Sequence, residues 1–228
     1  MLYTKEYVRD NIRNRNGKAV FYLGKHHQLT SEARDYLAQR RIEILPAEEA
    51  KPESYRLIGG GIAYEKPEHM THLNAEVLVP KNHPRIGFRG GVDALEAEIL
   101  LCQRSQPHLQ AQLQEILELA RKLIRCDVLE EPVGEFTLCG LTLEQQRKHS
   151  HFPQEYYGIP HFMPQCTDSP AVLELNRLRA TVRSAELMAV DAFCDREGNP
   201  TREDILRALN RMSSMLYILM LREKAKEN

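Results

Sequence analysis

Four apolar stripes at helical spacing govern what this chain can fold into. Val92, Leu95, Ile99 and Cys102 recur at three- and four-residue intervals. So do Leu109, Leu113, Ile116, Ala120 and Leu123, in a segment that opens at Pro107. A third run joins Leu175, Leu178, Val182, Ala185 and Ala189, and a fourth joins Ile205, Leu209, Met212, Leu216 and Leu219. Long helices with a single apolar stripe bury it on one another, so the expected fold is mainly α, a helical bundle of four to five long helices. The absence of Trp and the 12 glycines favour helices over a β-sandwich. Helical pattern is expected from Gly91 onward. The last helix is expected to start at Thr201, with Asp204 three residues on as a capping-box variant. Residues 131–170, rich in Pro, His and aromatics, read as irregular.

Ahead of the bundle, residues 1–50 read as a small N-terminal α/β element. A charged helix over 4–14 stops at Gly17, an apolar strand covers 19–23, and a helix capped by Thr30 or Ser31 runs through Tyr36 and Leu37. A short strand over 42–45 precedes Pro46. Residues 46–66 read as linker, which divides the chain into 1–66, the element with its linker, and 67–228, the bundle. Gly59-Gly60-Gly61 is not a phosphate loop, because no Lys-Ser/Thr follows and no helix starts there.

Lys plus Arg number 31 against 32 Asp plus Glu, a net charge of −1 that lacks the basic footprint of a nucleic-acid binder. No run approaches the roughly 18 apolar residues of a bilayer span, and the first residues carry no apolar signal core. A cytoplasmic protein with neither nucleic-acid nor membrane partners is expected. Cys102, Cys126, Cys139, Cys166 and Cys194 are odd in number and form no C-x-x-C pair, so they read as reduced thiols.

The polar residues beside the stripes carry the chemistry. Arg179, Arg183 and Glu186 share one face of the third long helix. One reading is an ion-pair lattice along the bundle, with Glu186 reaching back to Arg183. The other is a polyphosphate cradle, in which guanidinium forks hold phosphate oxygens and the carboxylate fixes their rotamers. Asp93 in the first long helix and Asn210 in the last occupy comparable borders of their stripes. Lys81 and Arg85, on a loop before the first helix, are positioned to reach an anion near a helix start. No convincing Ser/His/Asp or Cys/His constellation is present.

Together these segments resemble the cobalamin adenosyltransferases of the propanediol-utilisation class, and more closely their ethanolamine-utilisation branch, over about residues 69–222. The family's lysine-bearing loop and Asp-x-Leu helix are matched by the stretch from Val79 through Lys81 to Asp93-Ala-Leu95. Its Arg-x-x-x-Arg-x-Ala-Glu helix is matched by Arg179 to Glu186, and its Leu-Asn-Arg-Leu-Ser helix by Leu209 to Ser213. Thr71-His-Leu-Asn-Ala, the segment 125–132, His161-Phe-Met-Pro164 and the N-terminal element resemble the ethanolamine branch in particular.

The resemblance implies a transferase that moves the 5′-deoxyadenosyl group of ATP to cobalt(I) of cobalamin, making adenosylcobalamin and triphosphate with Mg²⁺. It implies a homo-oligomer, a trimer of bundles with ATP between subunits. By carry-over Thr71, Lys81, Arg179, Arg183, Glu186 and Asn210 bind ATP. Arg179, Arg183 and Asp93 are the catalytic candidates, with Asp93 bonded to Arg179. Phe162 falls near the aromatic that excludes the lower axial base of cobalamin. A corrinoid brings its own nucleophile, which accounts for the missing catalytic constellation. Ethanolamine ammonia-lyase or a reductase is the implied protein partner, and a bacterial microcompartment the implied setting. A non-catalytic module that delivers adenosylcobalamin is the alternative.

Two departures from the family matter. Branch members often carry a histidine and a Cys-Cys-x-x-Cys metal site before the Thr-His-Leu segment, whereas no Cys here precedes Cys102, so that metal site is not expected. His69 and His72, or His149, His151 and His161, are the imaginable replacement. Leu187 stands where many propanediol-class members carry another arginine, so that contact does not transfer.

Overall fold

The computed structural model describes residues 2–15, 18–49 and 54–227, in two compact units, Met1–Lys66 and Pro67–Asn228. The N-terminal unit contains β1 (Leu2–Tyr3), α1 (Lys5–Asp10), β2 (Arg13–Arg15), β3 (Lys18–Leu23) and β4 (Gln28–Leu29). It continues with α2 (Ser31–Gln39), β5 (Glu43–Pro46), β6 (Tyr55–Leu57) and β7 (Ile62–Ala63). Thr30 caps α2 by accepting from the Ala33 amide, and Thr4 caps α1 by accepting from Tyr7. β3 pairs antiparallel with β2 and parallel with β5, the second connection crossing over through α2. Val8, Phe21, Leu29, Ala33 and Leu37 fill the core beneath.

The structure corrects two expectations in this unit. The first helix ends at Asp10, because the chain turns at Asn11 and Arg13–Arg15 is drawn into pairing with β3. Its predicted stop at Gly17 lies outside the described residues, as do residues 50–53 of the linker. The remainder of that linker holds an antiparallel hairpin, β6 with β7. Gly60 and Gly61 make its turn at φ +92°, where a side chain is strained.

The second unit begins with the antiparallel hairpin β8 (Met70–His72) and β9 (Val77–Pro80). Six helices follow: α3 (Pro84–Ser105), α4 (Gln110–Leu129), α5 (Leu143–His151), α6 (Pro153–Tyr157), α7 (Pro170–Phe193) and α8 (Glu203–Ala225). Every residue of the four stripes is buried, and all belong to one hydrophobic core. The helix α7 packs on both α3 and α8, α4 packs on α3, and α5 packs on α8.

Three boundaries differ from expectation. Helix α3 starts at Pro84, ahead of the expected Gly91, because His83 caps it by accepting from Arg85 N and Pro84 occupies its first turn. Gly91 serves packing, since a Cβ there would lie 2.6 Å from Met188 Sδ and 3.4 Å from Ala185 Cα, so α3 and α7 approach closely at this point. Within 131–170, α5 is held by a full capping box between Thr142 and Gln145, and α6 follows it. At the last helix, the Thr201 hydroxyl donates to the Phe193 carbonyl instead of capping, at 2.9 Å. Asp204 pairs with Arg202 and accepts from Val133 N.

Candidate active site

Helical spacing sets Arg179, Arg183 and Glu186 on one face of α7, and Asn210 and Tyr217 lie two turns apart on α8. The two helices meet rung to rung. Asn210 Nδ2 donates to Glu186 Oε1 at 3.2 Å, and the Arg179 guanidinium lies 5.7 Å from the Tyr217 ring centroid. Arg211 donates to Asn210 Oδ1, so the amide is held from both sides. The lattice reading would have Glu186 answer Arg183, but the carboxylate is taken by Asn210. Arg183 is exposed and has no partner among the described residues. Arg179 Nε is buried without a hydrogen-bond partner. Burial, and then the neighbouring Arg147, hold the Arg211 pKa below its ordinary value, with only Glu186 opposing them. This strip therefore carries more positive charge than the described side chains neutralise.

At one end of the strip, Phe162 and Tyr217 stack with centroids 6.2 Å apart, and His161 also stacks with Tyr217 at 5.8 Å. His161 Nδ1 and the Tyr217 hydroxyl share a hydrogen bond of 3.0 Å. Tyr217 was not singled out by the sequence, because between Leu216 and Ile218 it reads as one more residue of an apolar seam. The loop histidines are engaged locally: His149 shares a bond with the Tyr157 hydroxyl and stacks on Tyr156, and His161 Nε2 bonds the His151 carbonyl.

The other expected site residues lie on the hairpin and α3. Strand register sets Thr71 opposite Val79, and the Lys81 amide extends the ladder by donating to the His69 carbonyl, which brings Lys81 to the Thr71 side. The Lys81 ammonium and the Asp93 carboxylate are exposed and without partners among the described residues, so Asp93 and Arg179 are not bonded within one chain. Arg85 departs from its expected role. It sits in the first turn of α3, and its Nε donates to Asp127 Oδ1 at 2.7 Å while Nη2 donates to the Asp127 carbonyl, so it is committed to a carboxylate of its own chain.

Among the described residues the bundle thus presents a strip of cations that few carboxylates answer, with an aromatic stack at its end. Residues 63–223 match the family described as cobalamin adenosyltransferase, and the chain belongs to that family, whose members are transferases. It is 29% identical to the corrinoid adenosyltransferase EutT of Salmonella typhimurium, over 98% of this chain and 92% of that one. It is 30% identical to the EutT of Escherichia coli strain K12, with the same coverage. No solved structure matches the chain significantly. No helix among the described residues is long and apolar enough to cross a membrane.

Proposed function

We propose that this chain transfers the 5′-deoxyadenosyl group of ATP to the cobalt(I) of cobalamin, forming adenosylcobalamin and triphosphate, and that its product serves ethanolamine ammonia-lyase. One observation carries the reading: Arg179 and Arg183 border a packed helix pair with no carboxylate paired to them among the described residues, and the Arg179 Nε is buried unpartnered. Leaving such a donor unsatisfied costs about 1–3 kcal/mol, which an incoming phosphate or carboxylate recovers.

Asp93, Lys81 and Thr71 complete the site in this reading when they come from a neighbouring subunit, Asp93 meeting Arg179 and the other two meeting phosphate. Exposed Leu100 and Leu101 on α3 and exposed Leu187 and Val190 on α7 support burial against further copies, as in a trimer. The cobalt(I) of the substrate is the nucleophile. The protein's work is to hold the ATP C5′ about 3–3.5 Å from it, in line with the departing triphosphate. Lys81, Arg179 and Arg183 meet the charge that grows on that leaving group, and Asn210 orients Glu186 beside them. The residues fit Mg²⁺ carried on the triphosphate, because Glu186 keeps Oε2 uncommitted among the described residues. Mg²⁺ supplies further neutralisation of the leaving group. Phe162, braced by Tyr217, is the apolar wedge that keeps the lower face of the corrinoid free of a ligand.

The test is to incubate the chain with ATP, Mg²⁺ and chemically reduced cobalamin and to follow the corrinoid spectrum. Protein-dependent formation of the alkyl-cobalt product supports the reading. A rate indifferent to the protein contradicts it, and tight binding of adenosylcobalamin without turnover identifies a delivery module instead.

A further inference from the structure

The Asp127 carboxylate, in the last turn of α4, is fully buried; it lies within the segment 125–132 and has been given no role there. Its two oxygens take one guanidinium each: Oδ1 accepts from Arg85 Nε at 2.7 Å and Oδ2 from Arg89 Nε at 2.6 Å. Arg85 and Arg89 are themselves largely enclosed, with side chains 18% and 14% exposed. Arg89 then turns the rest of its fork on the hairpin, Nη1 donating to the His72 carbonyl at 3.2 Å and Nη2 to the Leu73 carbonyl at 2.7 Å. A buried carboxylate thus grips an arginine that grips the chain immediately after Thr71. Through Arg85 the same carboxylate holds the first turn of α3, which His83, two positions beyond Lys81, caps by accepting from the Arg85 amide. Burial, and then the two guanidiniums, push the His83 pKa down against the opposing pull of Asp127.

The fork bonds the carbonyls of His72, at the end of β8, and of Leu73 just after it, and a guanidinium held by a buried anion has little freedom to turn away. Without the anion the fork is free to rotate toward solvent, and the two arginines repel each other.

We propose that Asp127 is a positioning residue for the nucleotide: acting through Arg89 and Arg85, it fixes the backbone that presents Thr71 and Lys81 to the triphosphate. The inference rests on the adenosyltransferase reading and names a residue that reading does not use. Asp127 touches no substrate. Its loss therefore acts on ATP and leaves the corrinoid platform at Phe162 and Tyr217 unaffected.

The experiment compares wild type with Asp127→Asn, which keeps the side chain's shape, and Arg89→Lys, which keeps the charge but cannot fork two carbonyls. Asp204→Asn serves as a control, since Asp204 pairs with Arg202 and Val133 and not with the hairpin. Steady-state adenosylation is measured against ATP and against reduced cobalamin, with calorimetric ATP binding on the same samples. Asp127→Asn and Arg89→Lys are expected to raise KM for ATP about tenfold, with KM for cobalamin and kcat little changed. The double variant should be no worse than either single one. The control should lose thermal stability without the rise. If Asp127→Asn does not fold, Arg89→Lys alone decides. An unchanged KM for ATP in folded variants overturns the positioning role while leaving the activity intact. A wild type that binds ATP but transfers nothing sinks the activity alone, and the calorimetric affinities then decide the positioning role. A wild type that binds no ATP overturns both.

Discussion

The Asn210 amide donates to Glu186 Oε1 at 3.2 Å, two turns along α7 and α8 from the contact of Arg179 with the Tyr217 ring. One antiparallel rung therefore orients the carboxylate of the proposed ATP site and the next orients its arginine. Because Asn210 is exposed, its bond matters for direction more than for stability. Asn210→Ala should change the unfolding free energy by less than about 0.5 kcal/mol. It should lower kcat/KM for ATP about fivefold, about 1 kcal/mol, less than a full charge-assisted bond because Asn210 acts on ATP only by orienting Glu186. Adenosylation kinetics beside a thermal melt separate the two effects, and a large loss of stability with unaltered kinetics would contradict this role.

Gly91 marks a close approach of α3 to α7. Gly91→Ala meets the Met188 side chain, which is 40% exposed and can swing away, so a loss below about 1 kcal/mol is expected. Gly91→Leu must also displace the Ala185 backbone and should cost about 2–3 kcal/mol. Urea unfolding of both variants checks the difference. Equal stabilities would mean that the helices do not meet there.

Acid sensitivity has a local source at the start of α8. The Arg202 guanidinium, together with the Val133 amide, lowers the Asp204 pKa from 3.8 to about 2. A depressed folded-state value means that the carboxylate contributes stability above about pH 4, and that this contribution fades as pH falls toward 2. After discounting for partial exposure, Asp204→Asn should cost about 1–2 kcal/mol at pH 7. Its deficit against wild type should shrink at pH 2.5. Urea titrations at the two pH values test this, and a deficit independent of pH would assign the effect to packing.

The four stripes were legible because each is set by a local period, and every position named in them is buried. What escaped notice depends on partners distant in sequence. The opening of α3 was hidden because Gly87, Gly90 and Gly91 argue locally against a helix, while the reason for Gly91 lies in Ala185 and Met188 on another helix. Arg85 read as a loop cation because its partner, Asp127, lies 42 residues away on α4. Residues 131–170 concealed α5, although the Thr142 and Gln145 pair of its capping box was available as a signal. Of the expected site residues, Glu186 and Asn210 meet directly and Arg179 and Phe162 both contact Tyr217. Thr71, Lys81 and Asp93 stand on other elements. Spacing along one helix can reveal a shared face, but it cannot reveal which groups on other elements share a site with it.

The account turns on cations left without carboxylates, and ATP affinity reads them most directly. Calorimetric titration of wild type, Lys81→Ala, Arg179→Ala and Arg183→Ala with MgATP should show tight binding by wild type. Each variant should lose about 1.5–3 kcal/mol, a factor of ten or more, with the fold retained. Affinities equal to wild type in all three variants would contradict the nucleotide site and return these side chains to the solvated surface of a bundle.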